Sequence, residues 1–211
     1  LLPFRLDECM DVRITWEYPD GSTAVNPVVT ISVDGVSLPS FTPDNNSVGG
    51  VTHVSVRFGD NGGVREPTGK VSVDDLAIYS DTAGFVDVFY DDFESYLEGD
   101  SLDTDYAAAP YNSSTSEATI EVVDGAGGPG TPGNKLAEII DTDPGDTGEL
   151  RYALDNSGPL SAGRLEVSVK RLDDELGNGD AFITLFNADP NNNGASLDFR
   201  IRDDSFGVSA P

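Results

Sequence analysis

The sequence has a single cysteine, Cys9, so no disulfide can close within the chain and the fold must rest on packing, with help from metal as the other source of crosslinking. It has a single histidine, His53, and a single tryptophan, Trp16. Cations are scarce: 12 Lys and Arg stand against 38 Asp and Glu, a net charge of −26. A general surface of that sign argues against nucleic acid or an anionic membrane as partner. No long apolar run and no basic-then-apolar leader is found, so no membrane span or signal peptide is predicted. Serine-nucleophile, P-loop and zinc motifs are absent, as is the paired-carboxylate run ExDxxE of glycoside hydrolases. No window carries a helical period.

Short alternating runs bounded by Gly, Asn, Asp and Pro are what the chain does have. They predict strands at 12–18, 28–35, 53–59, 70–79, 118–124, 149–154, 164–171, 181–187 and 196–203. The 23 glycines and 13 prolines supply turns between them. At 211 residues this composition predicts one all-β, antiparallel sandwich or jelly roll.

Alternation also divides each strand into two faces. Val54, Val56 and Phe58 fall on one side of HVSVRFG, with His53, Ser55 and Arg57 on the other. Arg13, Arg151, Arg164, Lys170, Arg200 and Arg202 fall on polar faces too, while acids crowd into turns. Two readings stay open. These strands build one locally basic face that attracts anionic ligands, or each cation is paired with a cross-strand acid. Trp16 and Tyr18 share the face of Val12 and Ile14 and are predicted to be core. Tyr106 and Tyr111, in a loop-rich stretch, are candidates for stacking on sugars, and the Asn run 191–193 reads as a turn.

The run MDVRITWEYPDGSTAVNPVVTISVDGV (10–36) resembles central strands of concanavalin A-like and laminin-G-like jelly rolls. GGVTHVSVRFGD and GKVSVDDLAIYSD resemble the closing strands of that superfamily. YDDFESYLEGDSLD resembles the opening strand of such domains in secreted polysaccharide-processing proteins. The resemblance therefore implies a circularly permuted order within one sandwich: 1–82 as the closing half, 83–90 as linker and 91–211 as the opening half. Neighbouring chain ends make such exchange feasible, and they predict Leu1 and Pro211 close together. A fragment of a tandem array, pairing its halves as a domain-swapped dimer, is the alternative.

The same resemblance implies a structural calcium ion where opening and closing strands meet, held by Asp75, Asp92 and Glu94 with Asp74 and Asp100 in reserve. Calcium takes six to eight oxygens, which suits such a cluster. GELRYAL and SLDFRIR are similar to strands of jelly-roll alginate lyases. However, AFITLFN stands where Gln-Ile-His is expected, with Phe186 or Asn187 at the position of the base, and no YFKAG run exists. Elimination needs both a base and an acid, and a lone His on a polar face reads as a solvated residue. The expectation is thus a noncatalytic, secreted carbohydrate-binding module of a larger polysaccharide-degrading enzyme. Its basic face, formed by His53, Arg57, Arg151, Asn187, Arg200 and Arg202, would take an acidic glycan such as alginate, with Arg side chains pairing its carboxylates. A divergent lyase using His53 and a Tyr, and a structural or adhesive repeat module, are the alternatives.

Overall fold

In the stretch MDVRITWE, Met10, Val12, Ile14 and Trp16 are buried while Asp11, Arg13 and Glu17 are exposed, the period of two that a half-buried strand requires. The same logic runs through the chain. The structure, a computed structural model, describes residues 8–21, 23, 25–43, 49–59, 69–81, 86–102, 118–125, 133–141, 147–154, 158–172, 180–187, 196–201 and 206–209. The strands are β1 (Met10–Glu17), β2 (Val28–Val33), β3 (Val36–Ser37), β4 (His53–Gly59), β5 (Gly69–Ser80), β6 (Val86–Asp91) and β7 (Ala118–Asp124). They continue with β8 (Lys135–Asp141), β9 (Thr147–Ala153), β10 (Ala162–Leu172), β11 (Asp180–Phe186), β12 (Ser196–Ile201) and β13 (Phe206–Ser209). Among the described residues the only helical element is the short 3-10 turn Pro19–Gly21, and no helix is long and apolar enough to cross a membrane.

All strand pairs are antiparallel, and they form two sheets. One has eight strands in the order β3-β2-β1-β10-β5-β8-β7, with β6 also on β5; the other has five in the order β13-β12-β11-β4-β9. The molecule is an all-β sandwich. Segments from both sides of residue 82 alternate within each sheet: β10 pairs with β1 and β5, and β4 pairs with β11 and β9. Side chains from both stretches join one hydrophobic cluster that includes Trp16, Phe58, Ile78, Ile139, Leu165 and Phe199. Trp16 and Tyr18 lie in that core, as their face predicts. Burying such side chains contributes roughly 1.5–3 kcal/mol each.

Four elements depart from the predicted map. Part of the stretch 83–90, expected as linker, is strand: β6 turns back along the second half of β5 while β8 pairs with the first half. β8, KLAEIID, buries consecutive Leu136 and Ala137, which hides its alternation, and β3 and β13 are too short to signal themselves. Leu1 and Pro211 lie outside the described residues.

Two local features fix the geometry of the larger sheet. Gly163 pairs with Trp16, and a Cβ there would lie 2.5 Å from the indole and 2.7 Å from the Tyr79 carbonyl, so only glycine permits the ring to cross β10. Between β10 and β5 the register slips at Glu166/Ser168, where β5 carries one extra residue. Asp75 sits in that bulge with φ of +49°, a left-handed conformation uncommon outside glycine. The bulge resets the alternation so that Leu76 is buried while Asp75 stays on the outer face.

Candidate functional site

The residues expected to bind glycan meet on the outer face of the five-stranded sheet. Because Val54, Val56 and Phe58 turn into the core, β4 presents His53, Ser55 and Arg57 outward. Register then lines up three rows across the sheet. Ala153, His53 and Phe186 form one; Arg151, Ser55, Thr184 and Asp198 the next; Glu149, Arg57, Phe182 and Arg200 the third. The sequence therefore brings His53, Arg57, Arg151 and the backbone of Arg200 to one surface. Asn187 follows β11 and lines a small cavity of about 10 Å³ beside Trp16 and Tyr18 instead. Arg202, Tyr106, Tyr111 and the run 191–193 lie outside the described residues.

Of the two readings of the cations, pairing with acids holds for those whose partners are described. The Arg57 guanidinium donates to Asp198 Oδ1 at 2.9 Å and to Thr184 Oγ1 at 3.1 Å, and the Thr184 hydroxyl donates to the same Asp198 oxygen at 2.9 Å. Arg151 donates to Glu149, two residues earlier on the same strand face. Elsewhere Arg13 and Arg164 both contact Glu166, and Lys70 contacts Glu138. The two guanidiniums on the five-stranded face also flank one ring: Arg57 lies 5.9 Å and Arg151 5.7 Å from the centre of Phe186, with Arg57 5.2 Å from Phe182. Two cations and two carboxylates leave these four side chains formally neutral.

This face is buried to an unusual degree for the outside of a sheet. The Arg151 and Glu149 side chains are 7% and 6% exposed, and Ser55 and Thr184 are buried with them. Among the described residues, three polar atoms remain without a hydrogen-bond partner there: Ser55 Oγ, Glu149 Oε1 and Arg151 Nε. Leaving such groups unmet costs about 1–3 kcal/mol each, and here they stand at adjoining positions, which concentrates unused hydrogen-bonding capacity on this face. One guanidinium donor, one carboxylate acceptor and one hydroxyl are the complement of a polyhydroxylated molecule.

No protein-family model and no curated protein matches this chain.

The second expected site is the junction of β5 with the turn after β6. Asp91 is buried and accepts from the Phe93 backbone N–H and the Tyr96 hydroxyl, at 2.8 and 2.9 Å, which holds Phe93 at φ +59° with its ring in the core. Asp75 accepts from the Tyr90 hydroxyl at 2.9 Å, Asp92 from the Glu94 N–H at 3.2 Å, and Glu94 from the Lys135 N–H at 2.7 Å. The Lys135 ammonium donates to the carbonyls of Glu94 and Tyr96, tying the turn to β8. Among the described residues no group of three or more Asp, Glu, His or Cys converges as a ready-made metal cage. The acids do feel each other. Burial pushes the Asp74 carboxyl up to about 6, and the charges of Asp75 and Glu94 add to the shift against hydrogen bonds from the Asp75 N–H and Asn134. Asp100 caps the turn through the Leu97 N–H.

His53 lies half-buried at the end of β4 with Nδ1 3.0 Å from the hydroxyl of its neighbour Thr52. Asp198, Thr184 and Phe182 were not among the expected site residues. Their signal was nonetheless in the sequence, since DAFITLF and SLDFRI place them on the polar side of their strands.

Proposed function

We propose that this chain is a noncatalytic carbohydrate-binding module of the concanavalin A-like jelly-roll kind, in circularly permuted strand order and closed within one chain. It serves a secreted polysaccharide-degrading protein and holds its glycan on the outer face of the five-stranded sheet. The observation that carries this reading is the trio of unmet polar atoms on adjoining positions, Ser55 Oγ, Glu149 Oε1 and Arg151 Nε. Arg57 and His53 flank the trio, and the Phe182 and Phe186 rings keep it dry, which strengthens every polar contact made there. An acidic glycan such as alginate fits through Arg151 once that side chain leaves its buried pair with Glu149 and turns outward, so that its Nε–H and an Nη–H form a fork to a uronate carboxylate.

Affinity electrophoresis through gels containing alginate or a neutral glucan tests the reading. Retardation by alginate that disappears in the paired variant Glu149→Gln/Arg151→Gln supports it; retardation by the glucan alone removes the acidic glycan, and none by either removes glycan binding on this face. Appearance of unsaturated oligosaccharides on incubation with alginate would replace it with a lyase. Calcium at the β5 junction is a separate proposal resting on the carboxylate crowding around Asp74. A thermal melt unchanged between chelator and added calcium would end it.

A further inference from the structure

The outer face of the eight-stranded sheet carries a groove of about 350 Å³, apart from the five-stranded face and sharing only Asp75 and Tyr90 with the β5 junction. Asp11 and Arg13 of β1, Asp75 and Tyr79 of β5, Tyr90 of β6 and Glu166 of β10 line it. That volume lies at the lower end of the roughly 300–1,000 Å³ of small-molecule sites.

Its side chains are held in place by one another. Tyr90 is 57% exposed, yet its hydroxyl is tied to Asp75 at 2.9 Å, so the ring is fixed at both its strand and its tip. Asp75 is itself fixed by the bulge in β5 and its left-handed backbone, a strained conformation of the kind that gathers at binding sites. Tyr79 has one face covered by the Arg164 guanidinium, 4.3 Å from the ring centre, which leaves Tyr90 as the open aromatic platform. Glu166 Oε1 lies 2.5 Å from Arg13 Nε and 3.2 Å from Arg164 Nε, and Asp11 Oδ1 accepts from the Ser168 hydroxyl at 2.6 Å. Each of these three carboxylates is thus held through one oxygen by a neighbouring side chain, and all three residues line the groove.

Three carboxylates against Arg13 in the lining and Arg164 beside it leave the groove a net negative charge, which disfavours uronates, sulfates and phosphates. What complements it is a ligand rich in hydroxyl donors with an apolar C–H face for a fixed phenol ring. We propose that this groove is a second glycan subsite, one that takes a neutral pyranose segment stacked on Tyr90 with its hydroxyls donating to Asp75 and Asp11. It lies on the opposite sheet from the acidic-glycan face and carries the opposite charge preference, so either can fail without the other.

Isothermal titration calorimetry of the full chain with cellohexaose, laminarihexaose, mannohexaose and galactotetraose, each neutral, tests the proposal. Protonated chitosan oligomers serve as the cationic control. Saturable binding of at least one neutral oligosaccharide is expected. It should weaken about tenfold or more in Tyr90→Ala, less in Tyr90→Phe, and stay unchanged in Glu149→Gln/Arg151→Gln. Because Tyr90 is exposed, Tyr90→Ala should melt close to wild type, so a loss of binding reads out the platform. No saturation with any of the four, saturation with chitosan alone, or neutral binding that survives Tyr90→Ala would each overturn it.

Discussion

The outer faces of the two sheets solve the same problem in opposite ways. On the five-stranded sheet the charged groups are withdrawn: the Arg151 and Glu149 side chains are 7% and 6% exposed and partner each other beside phenylalanine rings. On the eight-stranded sheet the ion pair on the outer face stays wet, as with the 56% exposed Arg13 that meets Glu166. The same ion pair is worth very different amounts in these settings. In water the Coulomb gain is nearly cancelled by solvation; in a dry setting, removing one partner leaves an uncompensated charge. A protein with 12 cations among 38 acids spends several of them on internal neutralisation, so total charge is a poor guide to the field over any one face.

Breaking the dry pair should give the largest effect. Glu149→Ala strands Arg151 and should cost about 3–5 kcal/mol in chemical denaturation, whereas Glu149→Leu/Arg151→Met, which removes both charges, should fall within about 1 kcal/mol of wild type. Equal losses in the two proteins would show that the pair is not dry.

An intermediate effect tests Asp74, a withdrawn carboxyl of the eight-stranded sheet. Asp74 titrates near 6 in the folded chain against an ordinary 3.8, so the unfolded chain gives up its proton first. Its contribution therefore falls as pH rises from about 4 to about 6 and is level above, for a total on the order of 3 kcal/mol at ~1.4 kcal/mol per pH unit of displacement. Asp74→Asn, with the Asn134 amide free to flip, should lose that slope. Denaturation of both proteins from pH 4 to 7 in chelator measures the difference; parallel curves would place Asp74 in a wetter setting.

The smallest effect belongs to the wet pair. Arg13→Ala should change stability by less than about 1 kcal/mol, and the change should shrink further when salt is raised. A loss comparable to that of Glu149→Ala would erase the contrast between the two faces.

Much of this was legible in the sequence. HVSVRFG alone fixes that His53, Ser55 and Arg57 share a face, because side-chain direction in a strand is a local property. What Arg57 finds there is not local: Asp198 becomes its partner only because β4, β11 and β12 lie in that order, which no strand reveals by itself. KLAEIID stayed hidden because Lys, Ala and Glu are weak strand formers and its burial comes from the sheet around it. The bulge at Asp75 was equally silent. Alternation assigns that residue inward, and an insertion of one residue between β10 and β5 reverses the assignment.

The place of β10 between β1 and β5 has a consequence in time as well as in space. A ribosome making this chain releases β1 and β5 long before the strand that separates them. At ~5–20 residues per second, β5 waits roughly 4–20 s and β1 roughly 7–30 s with the edge that β10 will cover unpaired. During that interval β1 and β5 of one nascent chain are available to each other, or to a neighbour on the same message, in pairings the finished protein forbids. Yield on expression should therefore depend on the translation rate of the stretch from β6 to β10 more than on any single contact within the folded molecule.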